Sequence, residues 1–183
     1  LCLRIPFPPD DGGTIAMFNM SRSLEMAGAE VTILSFNTRK HFVSDASIPV
    51  DFMDRYHPEM VYLDASVRPF DAMANLFGKR SYNIERFDIS AMHQKVSDVL
   101  RQNSFDIIHL ESLFMAPYLD TIRAGTHAPV FLRAHNVEFR IWERLAASCS
   151  NPLKKWYLQL LARRLKQYET EIINQFDGLI VLT

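Results

Sequence analysis

The sequence predicts an α/β fold: a doubly wound, mostly parallel sheet with helices on both faces. Three observations lead there. Apolar runs of strand length alternate with helix-periodic segments from one end of the chain to the other. The first run, the helical segment after it and the second run together take about 36 residues, the size of a strand–helix–strand crossover between parallel strands. Glycines at 28, 78 and 125 fall where helical segments stop.

Composition narrows the class. The chain has 183 residues, 48% hydrophobic and 22% charged, enough for a full core and too apolar for disorder. A formal net charge of −1 gives no general case for nucleic acid as a partner. Cys2 and Cys149 are too few and too far apart for a disulfide framework or a zinc site, which fits a reduced, cytoplasmic setting. No apolar run approaches the ~18 residues that span a membrane, and no signal peptide is recognisable. The chain opens inside an expected strand without an initiating Met and closes on another. One domain over 1–183, cut from a longer protein, is the expectation.

Residues 1–5 form a short apolar run that reads as a strand, stopped by Pro6, Pro8 and Pro9. Gly12-Gly13 follows as a tight turn, and Thr14 can cap the next helix through its hydroxyl. Met17, Met20, Leu24 and Ala27 make that helix's apolar stripe, and Gly28 ends it. Residues 30–36 read as the second strand and the polar stretch 37–49 as a loop. Residues 50–53 and 60–63 read as short strands, 70–77 as a short helix and 79–84 as a loop. Ile89, Met92, Val96, Val99 and Leu100 mark a helix of about four turns. Residues 105–110 read as a buried strand, 116–124 as a helix, 129–134 as a strand and 139–147 as a helix. Asn151-Pro152 opens a long helix to about residue 176, with Leu153, Tyr157, Leu160, Leu161, Leu165, Tyr168, Ile172 and Phe176 on its apolar stripe. Arg164 falls inside that stripe and needs a partner if buried. Residues 176–183 read as a last buried strand.

In such a sheet ligands bind beyond the C-terminal ends of the strands. Three loops belong there: Gly12-Gly13, Glu111-Ser112, and His135-Asn136-Val137-Glu138. A strand, a Gly turn and a helix N-terminus can bring backbone N–H groups to an anion; they also make an ordinary turn. His135 can hydrogen-bond a sugar hydroxyl, carry a proton near neutral pH, or bond its own loop backbone. Glu111 and Glu138 can each bind a hydroxyl-rich ligand or cap the following helix. His109 and Glu111 share a strand face, but two residues make no metal site.

No dinucleotide fingerprint, Walker loop or nucleophile elbow occurs, and no Asp-x-Asp pair for a metal-bridged diphosphate. From Lys154 to Lys166 there are five Lys/Arg and no acid, with Trp156 and Tyr157 among them. Lys154, Lys155, Arg163 and Lys166 could touch an anionic membrane surface, or simply form a solvated helix face.

Four stretches carry a resemblance to the N-terminal domain of glycosyltransferase family 4, a group of retaining GT-B enzymes. Pro8-Pro9-Asp10-Asp11-Gly12-Gly13 resembles the family's Gly-rich first loop. Residues 24–34 are similar to its Leu…Gly-His-Glu-Val-Thr pattern, with Ala29 where His is common. Arg133-Ala134-His135-Asn136-Val137-Glu138, followed by Trp142, resembles its His-Asn-x-Glu loop. Residues 176–183 resemble the strand that closes the domain.

The resemblance implies a Rossmann-like, acceptor-side domain facing a donor-binding domain that this chain lacks. Gly12, Gly13 and Thr14 would line the donor diphosphate. His135 would be the catalytic residue, hydrogen-bonding the transferred sugar, with Glu111, Asn136 and Glu138 as substrate-binding candidates. The implied substrates are a nucleotide-sugar donor and a saccharide or lipid-linked acceptor, with no metal and no cofactor. The family's Glu-x7-Glu motif is absent, so these residues alone are expected to be inactive. A nucleotide-sugar 2-epimerase-like enzyme and a non-catalytic ligand- or partner-binding module are the alternatives.

Overall fold

The computed structural model describes residues 1–78 and 80–181. The chain is a mixed α/β protein with short parallel sheets, and it divides into two compact units, Leu1–Ala65 and Ser66–Thr183.

The first unit is built on strand β1 (Leu34–Thr38), buried along its whole length. It pairs in parallel with β2 (Glu59–Leu63), Leu34 opposite Glu59 and Thr38 opposite Leu63. The expected first strand contributes a single parallel bridge, Cys2 with Ser35. Three prolines within residues 6–9 leave too few N–H donors to extend that ladder.

Helix α1 (Gly12–Met26) begins three residues earlier than expected, with Asp11 and not Thr14 as its cap. Gly12 and Gly13 are therefore its first turn. Neither has a positive φ; that conformation belongs to Gly28, at +90°. The Gly28 and Ala29 N–H groups donate to the Glu25 and Leu24 carbonyls, satisfying the helix end through a left-handed glycine. The buried positions of α1 are Thr14, Met17 and Ser21, while Leu24 and Ala27 are exposed. The buried face is thus rotated from the expected stripe.

Residues 50–53 belong to helix α2 (Val50–Tyr56), not to a strand. Its Phe52 and Tyr56, one helical turn apart, enter the core with Ile5, Met17, Ile33 and Ile48. The Tyr56 hydroxyl donates to Glu25 at 2.8 Å.

The second unit holds a three-stranded parallel sheet in the order β3 (Ile108–Leu110), β4 (Val130–Ala134), β5 (Gly178–Val181). β4 is central. β5 is an edge strand whose Leu179 and Val181 are exposed, so the expected buried strand is half-solvated; residues 182–183 lie outside the described residues. Asp177 anchors β5: its carboxylate accepts from the Val130 N–H at 2.6 Å and pairs with Arg123 at 2.7 Å. Gly178 is needed beside Phe131, because a Cβ there would sit 2.6 Å from the ring.

Helices α3 (Pro69–Ala74) and α5 (Ser90–Gln102) match the periodicity. The expected loop 79–84, of which Lys79 lies outside the described residues, contains a short helix, α4 (Tyr82–Glu85). Its Tyr82 and Ile84 are buried, and that burial sets its conformation. Helix α6 (Leu119–Gly125) follows a 3₁₀ segment, Leu113–Tyr118, that Pro117 keeps from being regular α-helix.

Helices α7 (Glu138–Ala147) and α8 (Pro152–Ile172) pack together, with Leu161, Ala162 and Leu165 of α8 buried. Leu153, expected on the apolar stripe, is exposed. Arg164 finds its partners in backbone carbonyls, donating to Asn75 at 2.7 Å and Leu76 at 2.9 Å. Among the described residues, no helix is long and apolar enough to cross a membrane.

Candidate functional site

The strongest cluster of polar side chains in the second unit lies at the C-terminal ends of β3 and β4. Parallel pairing sets Leu110 opposite Leu132. One step further along the same register come Glu111 and Arg133. Strand alternation puts His109 and Glu111 on one face, and Phe131 and Arg133 on the matching face of β4, while Leu110 and Leu132 fill the core.

Glu111 is the hub. Arg133 Nη1 donates to both carboxylate oxygens at 3.2 Å, and His135 Nε2 lies 2.8 Å from Oε2. His109 Nε2 stands 3.5 Å from Oε1. The Glu111 side chain is 6% exposed and that of Arg133 9%, against 20% for His135. Burial pushes the Glu111 carboxyl up. The His135 hydrogen bond and the charges of His109, Arg133 and His135 outweigh that and hold it below the usual range. Burial drives His109 down to about 4, against the pull of Glu111.

An ionised Glu111 can only accept, so His135 donates from Nε2. In the neutral ring Nδ1 then carries the lone pair and can accept from a hydroxyl. Among the ways His135 could be used, bonding its own loop backbone is not the one observed: its partner comes from the neighbouring strand end. Glu111 likewise does not cap the segment after it. Ser112 does, its hydroxyl accepting from the Phe114 N–H at 3.2 Å.

A second carboxylate pair adjoins this hub. Val137, at the N-terminus of α7, supplies no side-chain cap. Glu169 of α8 reaches across instead, accepting from the Glu138 N–H at 3.1 Å and the Phe139 N–H at 3.0 Å. Burial raises Glu138, and the nearby Glu169 raises it further, against a hydrogen bond with Asn136 and the charge of His135. Burial also raises Glu169, against its two backbone hydrogen bonds. The second unit thus brings together Glu111, His135, Asn136 and Glu138. Arg133 and Glu169 are the members that sequence reasoning did not single out. A lone Arg inside the apolar run 129–134 was a signal for the first. Nothing local marks the second, an acid on a long amphipathic helix.

Gly12, Gly13 and Thr14 lie in the first unit, where the Asp11 carboxylate occupies the N–H groups of Gly13 and Thr14. Asp11 Oδ1 accepts from the Gly13 N–H at 2.9 Å and the Thr14 N–H at 3.0 Å, and the Thr14 hydroxyl accepts from the Asp11 N–H at 3.1 Å. Arg4 pairs with Asp11 and lies 3.1 Å from His41 Nδ1. The Arg4 guanidinium holds Asp11 well below the usual carboxylate range, helped by the backbone donors. The helix N-terminus therefore already carries an anion, supplied by the chain itself. A Cβ on Gly12 would meet nothing within 4 Å; one on Gly13 would come within 3.3 Å of Asp11.

Lys154 and Arg163 are exposed on α8 and Lys155 is half-buried. Lys166 is exposed, with its ammonium 5.3 Å from the centre of the Phe139 ring. Among the described residues, no group of three or more His, Cys, Asp or Glu is placed to hold a metal ion. Comparison with protein-family models, with curated proteins and with solved structures found no match to this chain.

Proposed function

We propose that this chain is the acceptor-side half of a glycosyltransferase that moves a sugar from a nucleotide-sugar donor to a saccharide or lipid-linked acceptor, with retention. In this reading the two parallel sheets are parts of a doubly wound, Rossmann-like arrangement, and the main donor-binding half lies outside these residues. The observation that carries the reading is the hydrogen bond between His135 and Glu111 at the strand ends, braced by Arg133. Glu111 and Arg133 orient the imidazole, so His135 meets a sugar hydroxyl through Nδ1 without reorganising. Asn136 and Glu138 supply further hydrogen-bonding groups beside it. Gly12, Gly13 and Thr14 would meet the donor diphosphate together only when Asp11 releases the N–H groups of Gly13 and Thr14.

The test is nucleoside-diphosphate binding and nucleotide-sugar hydrolysis by the intact protein, with and without His135→Ala. The reading expects turnover to fall about 100-fold with donor affinity changed far less, the range for removing one positioned hydrogen-bonding group. Unchanged turnover in the variant would remove His135 from the chemistry. An intact protein that binds ligand without turnover would point to a non-catalytic binding module.

A further inference from the structure

The N-terminal end of α8 is not used by the sugar-transfer reading. Phe139 near the start of α7 lies against Lys166 and Glu169 of α8, so the two helices run antiparallel. With the same rise per residue in both, the C-terminal end of α7 reaches only to roughly residue 160 of α8. The first two turns of α8 overhang. There Leu153 is 74% exposed and Trp156 53% exposed, one helical turn apart on adjoining positions.

The charges at this end run against the helix's own preference. A helix N-terminus favours acids, yet the first turn of α8 has none and carries Lys154 and Lys155. No acid occurs between Glu143 and Glu169, a stretch that holds Arg144, Lys154, Lys155, Arg163, Arg164 and Lys166. Two exposed apolar side chains, one an indole, set among uncompensated cations match the chemistry of an anionic bilayer surface. The longer exposed stripe of Phe70, Met73 and Phe77 lacks that match, because Asp71 interrupts it and Arg80 is paired with Asp88.

We propose that the overhanging end of α8 docks on an anionic lipid bilayer. Leu153 and Trp156 enter the headgroup boundary, and Lys154 and Lys155 meet the lipid phosphates. The proposal does not depend on the sugar-transfer reading.

The test is sedimentation of the full chain with vesicles of phosphatidylcholine alone, or of phosphatidylcholine mixed with phosphatidylglycerol, at low and high NaCl. Pelleting is expected with the mixed vesicles only, and less of it as salt is raised. Each Lys near such a surface contributes about fivefold, so K154Q/K155Q weakens partitioning about 25-fold. Brominated acyl chains quench the wild-type emission, and Trp156→Phe removes that quenching. Equal pelleting with neutral vesicles, no pelleting with anionic ones, or wild-type partitioning by K154Q/K155Q each overturns the proposal. The substituted side chains are exposed or half-exposed, so the variants keep the wild-type circular dichroism and thermal midpoint, which are measured alongside.

Discussion

His135 Nε2 lies 2.8 Å from Glu111 Oε2, across the ends of two parallel strands and 24 residues apart in sequence. The same carboxylate accepts from Arg133 through both oxygens. One buried anion therefore fixes the imidazole and neutralises the guanidinium, and substitutions at Glu111 act on both.

Glu111→Gln takes away the carboxylate that the buried Arg133 Nη1 donates to. A loss of about 3–5 kcal/mol is expected, the range for removing one partner of a buried pair. Urea unfolding at neutral pH measures it. Glu111→Gln combined with Arg133→Met recovers most of the loss, because both members of the buried pair are then gone. A double variant no better than the single one would show that packing, not charge, sets the cost.

Stability falls between about pH 6.5 and pH 4 through His109. Its folded pKa of about 4 lies below the unfolded value of 6.5. In that window the unfolded chain binds more protons, so stability is complete above 6.5 and declines as pH falls towards 4. The depression corresponds to about 3 kcal/mol. His109→Gln flattens this part of the pH–stability curve. An equal slope in wild type and variant would assign the window to another group.

Glu169→Ala removes the acceptor from the first two backbone N–H groups of α7. The expected loss is about 1–2 kcal/mol, as for a lost helix cap. Amide exchange at Glu138 and Phe139 speeds up ahead of the rest of the helix. With the neighbouring charge gone, the Glu138 carboxyl also titrates lower than in wild type, which carboxyl NMR shifts report.

Gly178→Ala forces a methyl into the Phe131 ring and loosens β5 from β4. Overpacking of this kind costs about 1–3 kcal/mol. Phe131→Ala in the same chain opens the space, so the double variant loses less than the sum of the two single ones. Strict additivity would mean that the ring yields without strain.

Asp11→Ala frees the N–H groups of Gly13 and Thr14 together with the Arg4 guanidinium. If this end of α1 meets a diphosphate, the variant binds nucleoside diphosphate more tightly than wild type, although its thermal midpoint is lower. Calorimetric titration of both proteins decides. Unchanged affinity would leave Asp11 as a helix cap alone.

Much of the secondary structure was legible because periodicity and stop signals agree locally. The helices around Met92, Phe139 and Leu161, and the strands around Val61 and Leu132, lie where their apolar spacing puts them. The misreadings share a cause. Residues 50–53 alternate like a strand, but Phe52 and Tyr56 reach the core only from a helix. The run 1–5 is apolar enough for a strand, but the prolines after it limit its pairing to one bridge. The apolar residues at 179 and 181 suggested burial, but they share one strand face and that face is exposed.

The site divides the same way. Which polar residues sit at strand ends was readable locally, since the apolar runs locate those ends and His135, Glu111 and Glu138 follow them. So was the need of Arg164 for a partner. How these groups are used depends on register and helix packing. Parallel register brought Glu111 between Arg133 and His135, and the packing of α8 on α7 delivered Glu169 to the Glu138 and Phe139 amides. The Asp11 cap over Gly13 and Thr14 is the exception, a contact within three residues that the Asp-Gly-Gly-Thr run itself carries. Hydrogen bonds between groups tens of residues apart depend on register and helix packing, which are set by the whole core and not by any local stretch of chain.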